Sequence, residues 1–263
     1  MDLRIENRTA LVCGSSSGLG LAIASVLADE GCNVALNGRD ETRLDRALER
    51  VRERTEARVD GFAADVSDSS QARQLVRDVH SRFGAIDILV CNAGGPPSAP
   101  FGVTPEEAWQ ESLELNLLST IHLCRTAVPF MAEQGWGRIV CLTSVAAKEP
   151  LPGLILSTTA RAGVLGFAKS LADEVADNGI TVNVVCPGYM RTERVDDLVH
   201  QRSEHEGRPS SEIVGELVGR IPMNRMGEPA ELAAAVAFLS SEGAAYITGI
   251  ALQVDGGYIR SIL

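Results

Sequence analysis

The sequence predicts a doubly wound α/β fold, a parallel sheet covered on both faces by helices. Short apolar runs alternate with longer stretches of helical period along the whole chain. Several runs are apolar on nearly every position, as in Ile86, Ile88, Leu89 and Val90, or Ile139, Val140, Cys141 and Leu142. A strand buried on both faces reads that way, and a parallel sheet between helix layers requires it. Short loops between the alternating units complete the pattern.

Strands are expected at 9–13, 33–37, 57–63, 86–91, 137–143, 181–186 and 250–254. Helices are expected near 18–30, 40–55, 68–83, 104–134, 158–178 and 228–241. Asp68, with Ser69, Ser70 and Gln71 behind it, matches a helix N-cap and its N3 partner. Thr104-Pro105-Glu106-Glu107 reads as an N-cap, a proline at the first helical position and acids in the first turn. Gly31, Gly84 and Gly179 stand where helices end. The least regular stretch, 189–228, carries His200, His205, Gly207, Pro209, Gly215, Gly219 and Pro222. A connection of that length is expected to hold short helices and to act as a substrate lid on a single domain spanning 1–263.

The composition is that of an ordinary globular protein, 45% hydrophobic and 22% charged over 263 residues. Lys and Arg number 24 against 35 Asp and Glu, a net charge of -11. Such a surface repels phosphate backbones and anionic lipid, so neither nucleic acid nor a membrane is expected as partner. No run approaches the ~18 apolar residues of a membrane span, and residues 1–6 lack the shape of a secretion signal. The six cysteines are dispersed, without a CxxC pair or a histidine cluster. They read as reduced core thiols of a cytoplasmic protein, with no metal expected.

The strongest motif closes the first strand: Cys13-Gly14-Ser15-Ser16-Ser17-Gly18-Leu19-Gly20. Gly14 permits a sharp turn, Gly18 lets backbone amides approach a pyrophosphate, and Gly20 lets the helix pack against the sheet. Free N–H groups at the helix start, with those of Ser16, Ser17 and Leu19 nearby, suit an anion.

On these residues the chain resembles the short-chain dehydrogenase/reductase family over essentially its full length, and 3-oxoacyl reductases within it. Asp65 and Val66 match the family's adenine contact, and Asn92, Ala93 and Gly94 its segment after strand four. Asn116 matches the asparagine of the long fifth helix, and Ser144 the serine closing strand five. Pro187, Gly188 and Thr192 match its P-G-x-x-x-T segment. The resemblance implies a Rossmann-type, three-layer α/β/α fold with seven parallel strands in the order 3-2-1-4-5-6-7. It also implies a small carbonyl or alcohol substrate and a homotetramer or dimer, the tetramer being expected.

At the end of strand two, an NAD enzyme needs a carboxylate for the ribose hydroxyls. Here Gly38 stands in that place and Arg39 follows it. A guanidinium holds a phosphate through paired charge-assisted hydrogen bonds, so NADP(H) is favoured over NAD(H), with neighbouring Asp40 counting against it.

The family's active site is Ser…Tyr-x-x-x-Lys, and the resemblance places its tyrosine at 157. This chain has Ser157 there and Arg161 four residues on. No register slip restores the motif, because Tyr189, Tyr246 and Tyr258 are followed four residues later by Glu193, Ile250 and Ile262. A phenol titrates near 10 and an alcohol closer to water, near 15.7. At 1.36 kcal/mol per unit, the alkoxide is about 7 kcal/mol harder to form. Ser157 is therefore a poor sole acid/base, and a permanently protonated arginine relays no proton.

Three other proton sources come into view. Lys148 reads first as a solvated lysine beside Glu149, and Tyr189 as a packing wall. A water relay through Asn116, serving an alkoxide held by Ser144, Ser157 and Arg161, is the best of the three if the protein turns over. Three functions stay open: an NADP-dependent carbonyl/alcohol oxidoreductase with a non-standard proton path, a nucleotide-binding regulator or partner subunit with little turnover, and a different reaction in which Arg161 binds an anionic substrate. His80 and His122 fall in helical runs, and Trp109 and Trp136 read as packing or subunit contacts.

Overall fold

The computed structural model describes residues 2–262. Its seven strands are β1 (Thr9–Val12), β2 (Asn33–Gly38), β3 (Val59–Ala63), β4 (Ile88–Cys91), β5 (Gly137–Leu142), β6 (Ile180–Pro187) and β7 (Ala251–Val254). They form one sheet in the order β3-β2-β1-β4-β5-β6-β7, every pair parallel. The helices are α1 (Gly18–Asp29), α2 (Glu41–Arg52), α3 (Ser69–Phe83), α4 (Glu106–Leu113), α5 (Ser119–Gln134), α6 (Ile155–Val175), α7 (Glu193–Glu206), α8 (Ser210–Gly219) and α9 (Pro229–Leu239).

The near-continuous apolar runs follow from burial on both faces. Ala10 and Val12 of β1 join a core shared with Ile23 and Leu27 of α1 and Val236 of α9. Leu11, between them, faces a second core with Val76 of α3, Leu123 of α5 and Ala168 of α6. Leu11 also lies between Ala35 and Leu89 in register, at the middle of the sheet.

Local signals are met in part. The Asp68 carboxylate accepts from the N–H groups of Ser70 and Gln71, capping α3. The Gln71 side chain bonds the Asp65 N–H instead of closing a reciprocal box. Thr104 is not the cap expected: its hydroxyl donates to the Pro100 carbonyl at 2.8 Å, and α4 begins at Glu106. The single helix expected over 104–134 is three pieces, because a π turn at Glu114–Leu118 separates α4 from α5. The helix expected from 158 begins at Ile155. Of the apolar tail, Ile259 packs with Val145, Ile221 and Tyr258 of its own chain, and Ile262 is exposed. Leu263 lies outside the described residues.

Within 189–228, α7 and α8 form a hairpin with little core, Val199 and Ile213 being buried. Charge ties it together, since Glu216 accepts from both Arg202 and Arg208 across the two helices. Among the described residues, no helix is long and apolar enough to cross a membrane.

Two turns meet backbone to backbone beside β5. Gly179 has φ +70°, and a Cβ there would lie 2.3 Å from the Gly135 carbonyl oxygen. Gly179→Ala therefore combines left-handed strain with a clash that no side chain can relieve. It should lower stability by more than ~1 kcal/mol, read as a fall in the urea midpoint at unchanged slope.

Candidate active site

In a parallel sheet the carboxyl ends of all strands lie along one edge, and ligands bind where the chain reverses its direction of winding. That point lies between β1 and β4. Every candidate site residue read from the sequence ends or follows a strand at this edge or sits on a helical segment beside it.

The turn after β1 is built around close backbone contact. Gly14 (φ +57°) leaves no room for a side chain, its Cβ position being 2.9 Å from Asn92. A Cβ on Gly20 would sit 2.2 Å from the Gly14 carbonyl oxygen, so this glycine sets how tightly α1 seats on the turn. Gly18 (φ +56°) and Gly94 face open space. Ser17 caps α1 without a side-chain hydrogen bond, and the first turn carries no acid. Free N–H donors, helix-dipole charge and a side-chain-free cradle fit a dinucleotide pyrophosphate. Leu19 packs against the adjoining core.

Two bracing residues escaped the sequence reading. Ser15 donates to the Val12 carbonyl and accepts from the Asn37 N–H. Asn37, buried in β2, accepts from Gly14 N–H and donates to the carbonyls of Phe62 and Ala64. A polar side chain inside an apolar strand was the available signal. Asn92 also braces, its amide donating to the Cys13 and Gly14 carbonyls.

At the end of β2, a Cβ on Gly38 would meet the Ser16 side chain at 2.9 Å. An acid at 38 would therefore press on Ser16. Asp40 turns its carboxylate to the Arg43 N–H as the cap of α2. Arg39 is exposed and contacts Asp65 at 3.4 Å. Burial works to raise the Asp65 pKa, but bonds from Ser67 and the Arg39 charge outweigh it and hold the carboxyl below its ordinary value. Val66 is buried beside it. An exposed pair of this kind is worth at most about 1 kcal/mol, so an incoming phosphate can take Arg39 from Asp65.

Asn116 lies in the π turn, buried. Its amide donates to the Gly94 carbonyl at 2.7 Å, and its Oδ1 is buried with no partner. Ser144 opens the 3-10 turn Val145–Ala147, its oxygen accepting from Ala146 N–H, which leaves the hydroxyl hydrogen free to donate. Ser157 is buried on α6, which packs on that turn. Arg161, one helical turn on, is 9% exposed, and its Nη1 donates to the carbonyls of Leu142 and Thr143 at 3.3 and 2.8 Å. Burial, then the nearby Arg194 charge, push its pKa down to about 10, so it stays cationic at neutral pH.

Pro187 ends β6, and Gly188 passes so close to β7 that a Cβ would lie 2.8 Å from Asp255 Cα. Thr192 caps α7. Tyr189 stacks edge-on against Tyr258, with ring centroids 5.5 Å apart, and burial pushes its phenol up to about 12. It packs as the wall expected. Lys148 follows the 145–147 turn, half-buried. His80 stacks on Phe130, and His200 meets Glu204 on exposed α7. Trp136 lies between the guanidiniums of Arg8 and Arg138, and Trp109 edges against Phe101. All six cysteines are free and buried.

A parallel sheet that reverses at β1/β4, with a glycine turn feeding an uncapped helix start, defines a dinucleotide-binding α/β protein. Comparison with known proteins narrows the class. The family described as enoyl-(acyl carrier protein) reductase matches residues 14–259. D-beta-hydroxybutyrate dehydrogenase of Cupriavidus necator is 36% identical over 257 residues, covering 97% of this chain and 99% of the relative. The 3-oxoacyl-(acyl-carrier-protein) reductase of Staphylococcus aureus is 35% identical over 253 residues, covering 95% and 97%. L-sorbose reductase from Gluconobacter frateurii, solved with NADPH and L-sorbose, superposes with TM-score 0.95 at 34% identity over 100% of both chains. YwfH, an NADPH-dependent reductase involved in bacilysin biosynthesis, does so with TM-score 0.93 at 29% identity, covering 98% and 100%. The chain belongs to the short-chain dehydrogenase/reductase family of oxidoreductases.

Gly94 offers a clean test of the cradle, since its Cβ position meets nothing within 4 Å and its φ is not left-handed. Gly94→Leu should leave the urea midpoint within about 0.5 kcal/mol of the parent. It should weaken nicotinamide dinucleotide binding at least ~10-fold by calorimetry, because the side chain projects into open cleft.

Proposed function

We propose that this protein is an NADP(H)-dependent oxidoreductase acting on a carbonyl/alcohol pair, with the proton delivered by a water relay. The reading rests on Asn116, whose buried Oδ1 lacks a partner while its amide is fixed to Gly94. A water accepted there satisfies the orphan oxygen, and sites of this kind ordinarily hold one. The bound nicotinamide supplies or takes the hydride. In the reductive direction, the free O–H of Ser144 donates to the carbonyl oxygen, joined by Ser157. Arg161 adds fixed positive charge where the oxyanion develops, worth more in a dry site than in water. The Asn116 water then gives its proton to that oxygen and is replenished from solvent. Arg161 holds charge throughout and carries no proton.

The phosphorylated coenzyme is favoured because Gly38 carries no acid, Asp40 is spent as a cap, and Arg39 is held only by an exposed contact. The segment 189–228 serves as the substrate lid, its α7–α8 hairpin moving as one piece on the Arg202, Arg208 and Glu216 contacts. A homotetramer is part of the same reading, supported by exposed Phe101, Tyr246 and Ile250.

Arg39→Ala should reduce NADPH affinity by about 10-fold or more, on the scale of one or two charge-assisted hydrogen bonds, and leave NADH affinity unchanged. Titration of both coenzymes decides it, and equal losses for the two would sink the phosphate assignment. On a broad carbonyl panel, Ser144→Ala should lower kcat by at least ~100-fold with coenzyme affinity intact. Tight NADPH binding with no turnover on that panel would favour a regulatory role instead.

A further inference from the structure

We infer that Arg161 and Arg194 together form a carboxylate-recognition site in the substrate cleft, so that the preferred carbonyl substrate is an oxo acid. The inference rests on the oxidoreductase reading above and extends it to the substrate's class.

Among the described residues, neither guanidinium pairs with an acid. Glu193, next to Arg194, pairs with Arg43 at 3.0 Å. Asp255 accepts from the N–H groups of Gly257 and Ile259. Arg161 is buried and Arg194 is exposed on α7; a buried cation without a counter-charge is costly, and in a cleft it marks where an anion belongs.

Each arginine is held so that part of its fork is left over. Arg161 spends only Nη1, on the Leu142 and Thr143 carbonyls. Its Nε and Nη2 edge, the planar two-donor edge that matches a carboxylate, makes no hydrogen bond within the described residues. Arg194 reaches from the start of α7 across to the loop after β4, where Nη2 donates to the Pro96 carbonyl at 3.0 Å. Gly95 makes room for it, because a Cβ there would stand 3.1 Å from that nitrogen. Arg161 is tied to the end of β5 and Arg194 to the loop after β4, the strand paired with β5, so the two guanidiniums stand at neighbouring strand ends. Their like charges repel, and a shared carboxylate relieves that repulsion. Lys148, also without an ion pair in the described residues, adds a third cation at the same strand edge, against a protein of net charge -11. Since α7 belongs to the proposed lid, a substrate carboxylate bridging Arg161 and Arg194 would also draw the lid onto the cleft.

The test compares 2-, 3- and 4-oxo acids of matched chain length with their methyl esters. With NADPH, at least one acid should exceed its ester by ~100-fold in kcat/KM, about 2.7 kcal/mol. Arg194→Ala should cut that ratio below ~10 through KM with kcat little changed, and Arg194→Lys should restore part of it. Acids and esters reduced equally well, or a ratio indifferent to Arg194→Ala, would overturn the inference and leave the oxidoreductase reading standing. Calorimetry of the same acids and esters with the NADPH-loaded protein gives a readout independent of turnover. Acid-selective heat that is lost in Arg194→Ala supports the site even if no ketone is reduced. Absence of heat from every acid, with esters turned over, removes it.

Discussion

The seating of α1 on the turn after β1 is the contact on which the rest depends. With no side chain at 20, the helix start comes down onto the Gly14 carbonyl, and Asn92 from the neighbouring strand ties that carbonyl and the one before it. Ser15 and Asn37 secure the same turn from the β2 side. The helix dipole is thereby aimed at the gap where the sheet's winding reverses, and Gly18 leaves that gap open. Ser144 after β5 and Arg39 after β2 then stand at the same edge, because parallel strands end together, and Arg161 reaches it from α6 through the Thr143 carbonyl.

Within that crevice, the serine and arginine at 157 and 161 change what the protein can do with a proton. A guanidinium clamped to two strand carbonyls is a fixed electrostatic group. In the proposed reaction it stabilises an oxyanion, and it cannot slide along a relay as an amine or phenol can. The proton of that proposed reaction comes from elsewhere, and the π turn matters here. By adding a residue to the helical repeat at 114–118, it rotates Asn116 inward and leaves an acceptor without a partner. The proposed lid role of the α7–α8 hairpin rests on similar contacts, since ion pairs hold the hairpin together and few of its side chains are buried.

Much of this was legible in the residue order. The strands read correctly because a two-face buried strand cannot hide its apolar run, and Asp68 read correctly as a cap because capping is a contact over three residues. Thr104 misled, since the same short polar side chain satisfies a preceding carbonyl as readily as a following N–H. The unbroken helix expected at 104–134 failed because single π turns are rare and sit inside otherwise helical runs.

Residue order alone settles the succession of elements, the glycine turn, the absence of an acid at 38 and the identities at 157 and 161. All of these are set by local pattern or by residue type. Long-range packing is what ties Arg161 to the end of β5 within the field of Arg194, leaves the Asn116 oxygen unpaired, and brings the sulfurs of Cys91, Cys124 and Cys141, scattered in the chain, within 4.8 Å of one another. Those facts depend on contacts between residues tens of positions apart, and such contacts exist only once the sheet has ordered its strands and the helices have packed onto both faces.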